Sequence, residues 1–468
     1  MSKLSVGSRL ETNGLGRTSS MPGVRSSYLQ ACMARDLLFY FALTAVAITA
    51  CNRSQVARQI ESTPLYKEAF SGFYLCDATT GEVLHQQNAT KLFTPASNTK
   101  LFTLATCLAW LPQDSLPALA YDYRADTLML WALAYPQLAA DSTPYNQRIK
   151  SAIQDHPGPV ALNLHGYWPL PRFGEGWMWD DYPYAFAREQ SGFPMYRNLL
   201  SAWRREDDSS SSELASIPSF LVVRKSKSVE GRGLQRQETQ GRYYGSIKIS
   251  HGDTLYAPLY GVSSMASQLL EDWTDREIRY HNDALPTDWG DQTWRGEPRD
   301  SLLRRMMLPS DNFLAEHLLL QAGLYHDDIT KPRELRERAQ REVLRLAASE
   351  LAWADASGIS HYNLVTPQAL GKVMLALYAE LGPAGIVALF PTGGQSGTIS
   401  DWYAGPEGKP YVWAKTGTLR HNHSLTGLLQ AKSGRHLIFS MMHNHYSGSS
   451  TAYKKAMEET LLTIRDNY

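Results

Sequence analysis

The sequence predicts an α/β fold, an antiparallel sheet with helices, split by a mainly β insert. Helical and strand-like patterns at the two ends of the chain lead to this reading, together with a β-rich stretch between them. LFTLATCLAWL (101–111) carries its apolar residues at helical spacing, and so do RDSLLRRMML (299–308) and FLAEHLLLQAG (313–323). Tyr411-Val412-Trp413-Ala414 reads as a strand. The apolar runs flanking Lys432-Ser433-Gly434-Arg435 read as a hairpin with that tetrapeptide as its turn. SFLVVRK (219–225) and YYGSIKISHGDTLYA (243–257) are β-like runs between these groups. Residues 57–120 and 259–468 are therefore assigned to one domain. Residues 121–258 are assigned to the insert, which also holds the polar loop REDDSSSSE (205–213).

A chain of 468 residues that is 43% hydrophobic can bury a large core. Lys plus Arg and Asp plus Glu number 46 each, so the formal net charge is zero. Without a basic field, nucleic acid is not an expected partner. Cys32, Cys51, Cys76 and Cys107 form no C-x-x-C pair. Cys76 and Cys107 lie among apolar residues and are read as buried thiols.

The N-terminus reads as an address. Residues 37–50, LLFYFALTAVAITA, are uncharged and follow Arg35, Arg25 and Arg17. That is an n-region followed by an h-region, too short for a comfortable membrane span. Ile48-Thr49-Ala50-Cys51 resembles a bacterial lipobox, which makes Cys51 the candidate lipidation site. An ordinary signal peptide with an incidental cysteine is the alternative. Both imply export, with a periplasmic or outer-surface location, and residues 1–50 are set aside from the fold. No G-x-x-x-x-G-K-[ST] loop for a nucleoside triphosphate occurs.

Three short motifs carry chemistry. Ser97-Asn98-Thr99-Lys100 follows Pro95-Ala96 at a helix start, and the i to i+3 spacing places Ser97 and Lys100 on one face. A serine hydroxyl needs a base to become a nucleophile. A lysine qualifies when burial and a helix N-terminus depress its pKa. Ser310-Asp311-Asn312 lies between two helical runs. It suits either a cleft loop, with Ser310 passing a proton and Asn312 donating to a substrate carbonyl, or a plain helix cap. Lys415-Thr416-Gly417-Thr418 continues the strand from Tyr411. Gly417 there suggests close approach of another backbone, such as a substrate added at the strand edge. Lys415 would bind a substrate carboxylate, assisted by the hydroxyls of Thr416 and Thr418.

Together, in this order and on these elements, the motifs resemble the serine acyl-enzyme site of penicillin-binding proteins and β-lactamases. The interval from Ser97 to Ser310 is longer than in serine β-lactamases. Over residues 65–460 the chain resembles the D-alanyl-D-alanine carboxypeptidase/endopeptidase family S13, the low-molecular-mass class C penicillin-binding proteins. The stretches that carry this are PASNTKLFTLAT, GEGWMWDDYPYAFA, SDNFLAEHLLLQAG, DASGISHYNLVTP, GTISDW and KTGTLRHNHSLTGLLQAKSGRHLIFSMMHNH. Ala134-Tyr135-Pro136 stands where the family has Gly-Asp-Pro, and Asp355-Ala356-Ser357-Gly358 where it usually has Asp-Gly-Ser-Gly.

The resemblance implies a penicillin-binding-protein/β-lactamase-like transpeptidase domain. It implies peptidoglycan stem peptides as substrates, β-lactams as inhibitors, and no cofactor or metal. Ser97 would be the nucleophile, Lys100 its base, and the backbone N–H groups of Ser97 and Thr418 the oxyanion donors. Ser310 and Lys415 would relay the proton to the departing D-Ala. A β-lactamase and a catalytically inert wall-binding protein are the alternatives. His421, His423, His443 and His445 raise zinc as a further possibility, against surface or cleft polarity as the plainer reading.

Overall fold

The computed structural model describes residues 55–164, 170–206, 211–231, 233–237 and 240–468. Cys51 and the export segment lie outside the described residues, as do parts of the polar loop.

A five-stranded antiparallel sheet organises the protein. Its order is Val412–Leu419, Asn422–Gln430, His436–Asn444, Phe70–Asp77, Val83–Gln87. The two ends of the sequence are thus joined in one sheet, with Phe70 opposite Asn444 and Asp77 opposite Leu437. Side chains alternate between faces, and both faces are covered. Tyr74, Cys76, Leu428 and Ile438 enter one core, while Phe73, Leu75, Leu429 and Phe439 enter the other. Burial on both sides explains why HLIFSMM reads as a nearly continuous apolar run. The turn at 432–435 closes as expected. Gly434, at φ +89°, donates to the Ala431 carbonyl, and Ala431 N–H donates to Arg435. Cys76 and Cys107 are buried free thiols.

Helices pack on the sheet by the same logic. Lys100–Trp110 is buried at ten of its eleven positions, which is why LFTLATCLAWL has so little polar face. Asn312–Asp327 lies against it, likewise enclosed. Pro367–Leu389 covers the sheet on that side, and Ser450–Asn467 packs on the other.

Residues between these parts build two further sheets. One has the order Thr254–Pro258, Leu199–Trp203, Glu213–Ile217, Val223–Ser226, Tyr243–Ser246, Leu234–Arg236. The other has the order Ile278–His281, Val160–Asn163, Thr127–Ala132, Ser115–Arg124, Thr293–Pro298. This second sheet reaches beyond 121–258 at both ends. Thr293–Pro298 pairs with Ser115–Arg124, so the chain enters and leaves through neighbouring strands. Such a pairing joins positions far apart in sequence, and local periodicity carries no trace of it. One core runs without a break from the nucleophile helix into these sheets, through Leu104, Leu119, Leu130, Leu200 and Leu303.

Candidate active site

Ser97 lies in a single 3-10 turn, Ala96–Thr99, that leads into the Lys100 helix. Its hydroxyl is 3.0 Å from the Lys100 amine. That amine is fully buried and also meets Asn312 Oδ1 and the Ser357 carbonyl, each at 2.6 Å. An ammonium would donate to all three oxygens. A neutral amine can donate to Asn312 and Ser357 and accept the Ser97 proton on its lone pair. Burial pulls the Lys100 pKa down to about 8, with the charges of Asp355, Glu316 and Asp311 opposing the fall. The site therefore holds a lysine with a substantial neutral fraction near physiological pH, in contact with a serine hydroxyl.

The Ser310-Asp311-Asn312 turn serves as both cap and cleft wall. Asp311 is the N-cap and accepts from Leu314 N–H at 3.0 Å. Asn312 opens the helix and sends its amide Nδ2 to the Phe186 carbonyl at 3.1 Å, which orients Oδ1 toward Lys100. Arg188 and Arg197 both pair with the Asp311 carboxylate. Burial favours the neutral acid, but the Arg188 and Arg197 charges, the Leu314 N–H and the Lys100 charge together hold the Asp311 pKa below the usual carboxylate range. Gln190 donates to Glu316 at 3.0 Å, and Ser191 N–H donates to His317 Nε2 at 3.3 Å. Residues 186–197 therefore brace the helix that carries Asn312.

The loop Asp355–Gly358 forms the floor. Asp355 accepts from Trp177 Nε1, from the N–H groups of Gly358 and Ser360, and from Asn363. Gly358 has φ +86°, and a Cβ there would lie 2.0 Å from the Ala96 carbonyl oxygen. Its absence lets the loop press against the Ser97 turn and aim the Ser357 carbonyl at Lys100.

Val412–Leu419 is an edge strand. Ala414 N–H donates to Pro391 and Val412 O accepts from Gly393, so even-numbered peptide groups face outward. By alternation Thr416 and Thr418 turn their N–H and C=O groups outward along this edge, where the Thr416 carbonyl accepts from the Lys415 amine. Their hydroxyls meet Thr398 and His423, each at 2.8 Å.

Two expectations for this strand are corrected. Gly417 admits the protein's own Ser97 turn, because a Cβ there would lie 2.2 Å from the Pro95 carbonyl oxygen. Lys415 lies on the same side as Gly417 and is fully buried, with its amine donating to the Thr416 carbonyl at 2.9 Å. Burial, and then the nearby Lys100 charge, drive its pKa well below the ordinary lysine value. Enclosed in this way, the amine is turned to the strand's own Thr416 carbonyl. Gly417→Ala is expected to displace the Pro95–Asn98 turn, lower penicillin acylation by about 10²-fold and cost about 1–3 kcal/mol of stability. Labelling rates and thermal unfolding measure the two effects.

Ser97 and Thr418 line two adjoining cavities. One, of about 400 Å³, adds Met178, Asp180, Asp181, Phe186, His361 and Arg420 among its walls. The other, of about 360 Å³, adds Ser310, Thr398, Thr416, His423 and Lys454. Burial raises the Asp181 pKa, and the adjacent Asp180 charge raises it further. His423 and His443 are neighbours across the closing hairpin, but their Nδ1 atoms meet Thr418 and Ser71 hydroxyls. Among the described residues, no group of three or more metal-binding side chains occurs.

Sequence reasoning brought together Ser97, Lys100 and Asn312 in direct contact, and Ser310, Thr416 and Thr418 around the serine. It missed the Ser357 carbonyl, the 186–197 brace and Lys454. The family model for D-Ala-D-Ala carboxypeptidase 3 (S13) matches residues 52–118 and 294–466, about half of the chain. The chain belongs to this S13 family. The unmatched residues 119–293 hold most of the two additional sheets, whose strands Ser115–Arg124 and Thr293–Pro298 run into the matched ranges. Among curated relatives, the D-alanyl-D-alanine carboxypeptidase of Actinomadura sp. strain R39 is 22% identical over 82% of this chain and 79% of that protein. D-alanyl-D-alanine carboxypeptidase DacB of Haemophilus influenzae is 28% identical over 32% of this chain and 33% of its own length. Carboxypeptidase DacB of Mycolicibacterium smegmatis is 30% identical over 31% and 33%. The chain thus spans about a third of the length of these last two relatives. The crystal structure of penicillin binding protein 4 from Haemophilus influenzae superposes with TM-score 0.65 and 18% identity, over 87% of this chain and 97% of that one. The S13 chain described here therefore has the penicillin-binding-protein fold.

Proposed function

We propose that this S13 protein is a serine-type D-Ala-D-Ala peptidase that acts on peptidoglycan stem peptides through an acyl-enzyme and is inhibited by β-lactams. The contact between the Ser97 hydroxyl and the buried Lys100 amine carries the reading. Neutral Lys100 takes the Ser97 proton as Oγ attacks the carbonyl of the penultimate D-Ala. The outward N–H of Thr418 stabilises the developing oxyanion together with the N–H of Ser97, which sits in a first helical turn where such groups lack intrahelical partners. Asn312 holds the Lys100 amine against the serine. Ser310, in the second cavity, passes its hydroxyl proton to the departing amine and is reprotonated by the proton that Lys100 took from Ser97. Water then hydrolyses the ester. The curated relatives bear carboxypeptidase names, which supports release of a terminal residue.

The sequence signal for export supports a periplasmic location, with Cys51 as the point of lipid attachment. Incubation with defined muropeptides, read by mass spectrometry, tests the reading. Loss of one alanine from a pentapeptide, or cleavage of a cross-link, is the expected result. Intact muropeptides beside rapid turnover of penicillin would assign a β-lactamase instead. Intact muropeptides without acylation would assign an inert wall-binding protein.

A further inference from the structure

Substrates in which an α-amino acid departs carry a free carboxylate just beyond the scissile bond, and that charge requires a partner. Lys415 does not suit the role, being enclosed and turned to the Thr416 carbonyl. Arg420 lies in the other cavity, which it shares with Asp180 and Asp181. The cavity holding Ser310 is different in kind. Apart from Ser97, its walls are the hydroxyls of Ser310, Thr398, Thr416 and Thr418, the His423 imidazole and the Lys454 side chain. Burial, and then the Lys454 charge, push the His423 pKa down to about 3, so this imidazole is neutral and adds no charge. Lys454 is left as the one formal charge among the described residues that line this space.

Lys454 projects from the second turn of the C-terminal helix, Ser450–Asn467. Its amine lies 5.5 Å from the centroid of the Trp402 ring, and no salt bridge engages it among the described residues. A half-buried ammonium beside an aromatic face and three threonine hydroxyls is a receptor for one small anion.

We propose that Lys454 binds the free carboxylate of the residue that leaves, so that the C-terminal helix sets the preference for substrates ending in a charged carboxylate. The inference rests on the peptidase reading and adds to it a residue outside the three motifs. Thr398, whose hydroxyl accepts from Thr416, keeps its own proton for the same anion. Ser310, in the same cavity, is then placed beside the departing nitrogen. Lys454 is a substrate-binding residue and takes no proton.

The test compares two acyl-D-Ala-D-Ala peptides that differ only in ending as a carboxylate or as a carboxamide. The wild-type protein is expected to prefer the acid by about 10- to 100-fold in kcat/KM, the range for a hydrogen bond to a charged group. Lys454→Gln is expected to remove most of that preference by slowing the acid alone. Lys454→Arg is expected to restore it. The amide serves as an internal control, since its unchanged turnover reports an intact Ser97 site. An unchanged acid-to-amide ratio in Lys454→Gln would overturn the inference, and so would an equal fall with both peptides. Failure of the wild-type protein to cleave either peptide or to take a penicillin label is a separate outcome, because it refutes the peptidase reading first.

Discussion

Ser97→Ala is expected to abolish covalent labelling by a fluorescent penicillin and to leave the fold intact. The hydroxyl is the only oxygen in the site that touches the buried amine and also faces both cavities. No other described serine or threonine contacts Lys100 through its hydroxyl, so no substitute nucleophile stands in the same position. Loss of a nucleophile of this kind lowers turnover by about 10⁶-fold. The structural cost is small, because Ser97 is half-buried and Lys100 keeps Asn312 and Ser357 as partners. Gel fluorescence after penicillin treatment, beside a thermal melt, separates the two effects. Labelling that persists in the alanine variant would move the nucleophile elsewhere.

The second large effect concerns Lys100 and pH. Only the neutral amine can accept the serine proton, so acylation is expected to rise with pH and reach half its plateau near pH 8, where burial has brought the amine. The sign follows from the charge. Below that pH the ammonium predominates and its lone pair is occupied, and above it the base is free. Asp311→Asn removes a negative charge that favours the ammonium, so the midpoint should move to lower pH. Lys100→Met should lower acylation by about 10²- to 10⁴-fold at every pH and flatten the profile. It also leaves Asn312 Oδ1 and the Ser357 carbonyl without their donor, at about 1–3 kcal/mol. Stopped-flow acylation from pH 6 to 10 measures the curve. A midpoint near the ordinary lysine value, or a profile unchanged in Lys100→Met, would show that another group is the base.

Several features of the site were legible because they are local. Ser97 and Lys100 are three residues apart on one helical turn, and helix geometry alone brings them to one face. Asp311 sits where a cap belongs, and that cap presents Asn312 Oδ1 to Lys100, while the Asn312 amide donates to the Phe186 carbonyl and not outward as expected. The closing hairpin announced itself through its turn and its flanking apolar runs.

What the tertiary structure alone decided has a common physical cause. The Ser357 carbonyl reaches Lys100 across 257 positions, and a main-chain acceptor leaves no mark in side-chain chemistry. The 186–197 brace depends on Arg188 and Arg197 meeting one buried carboxylate, which no spacing rule anticipates. Lys415 looked like a cleft cation because its motif says only which residue it is. Its enclosure comes from which face of the strand packs on the Ser97 turn. The sequence by itself determined the pairing of Ser97 with Lys100 and the type of elements that carry the motifs, because these follow from short-range backbone geometry. Burial, charge state and the partners of each group were decided by contacts between distant segments, because desolvation and pairing exist only once those segments are packed together.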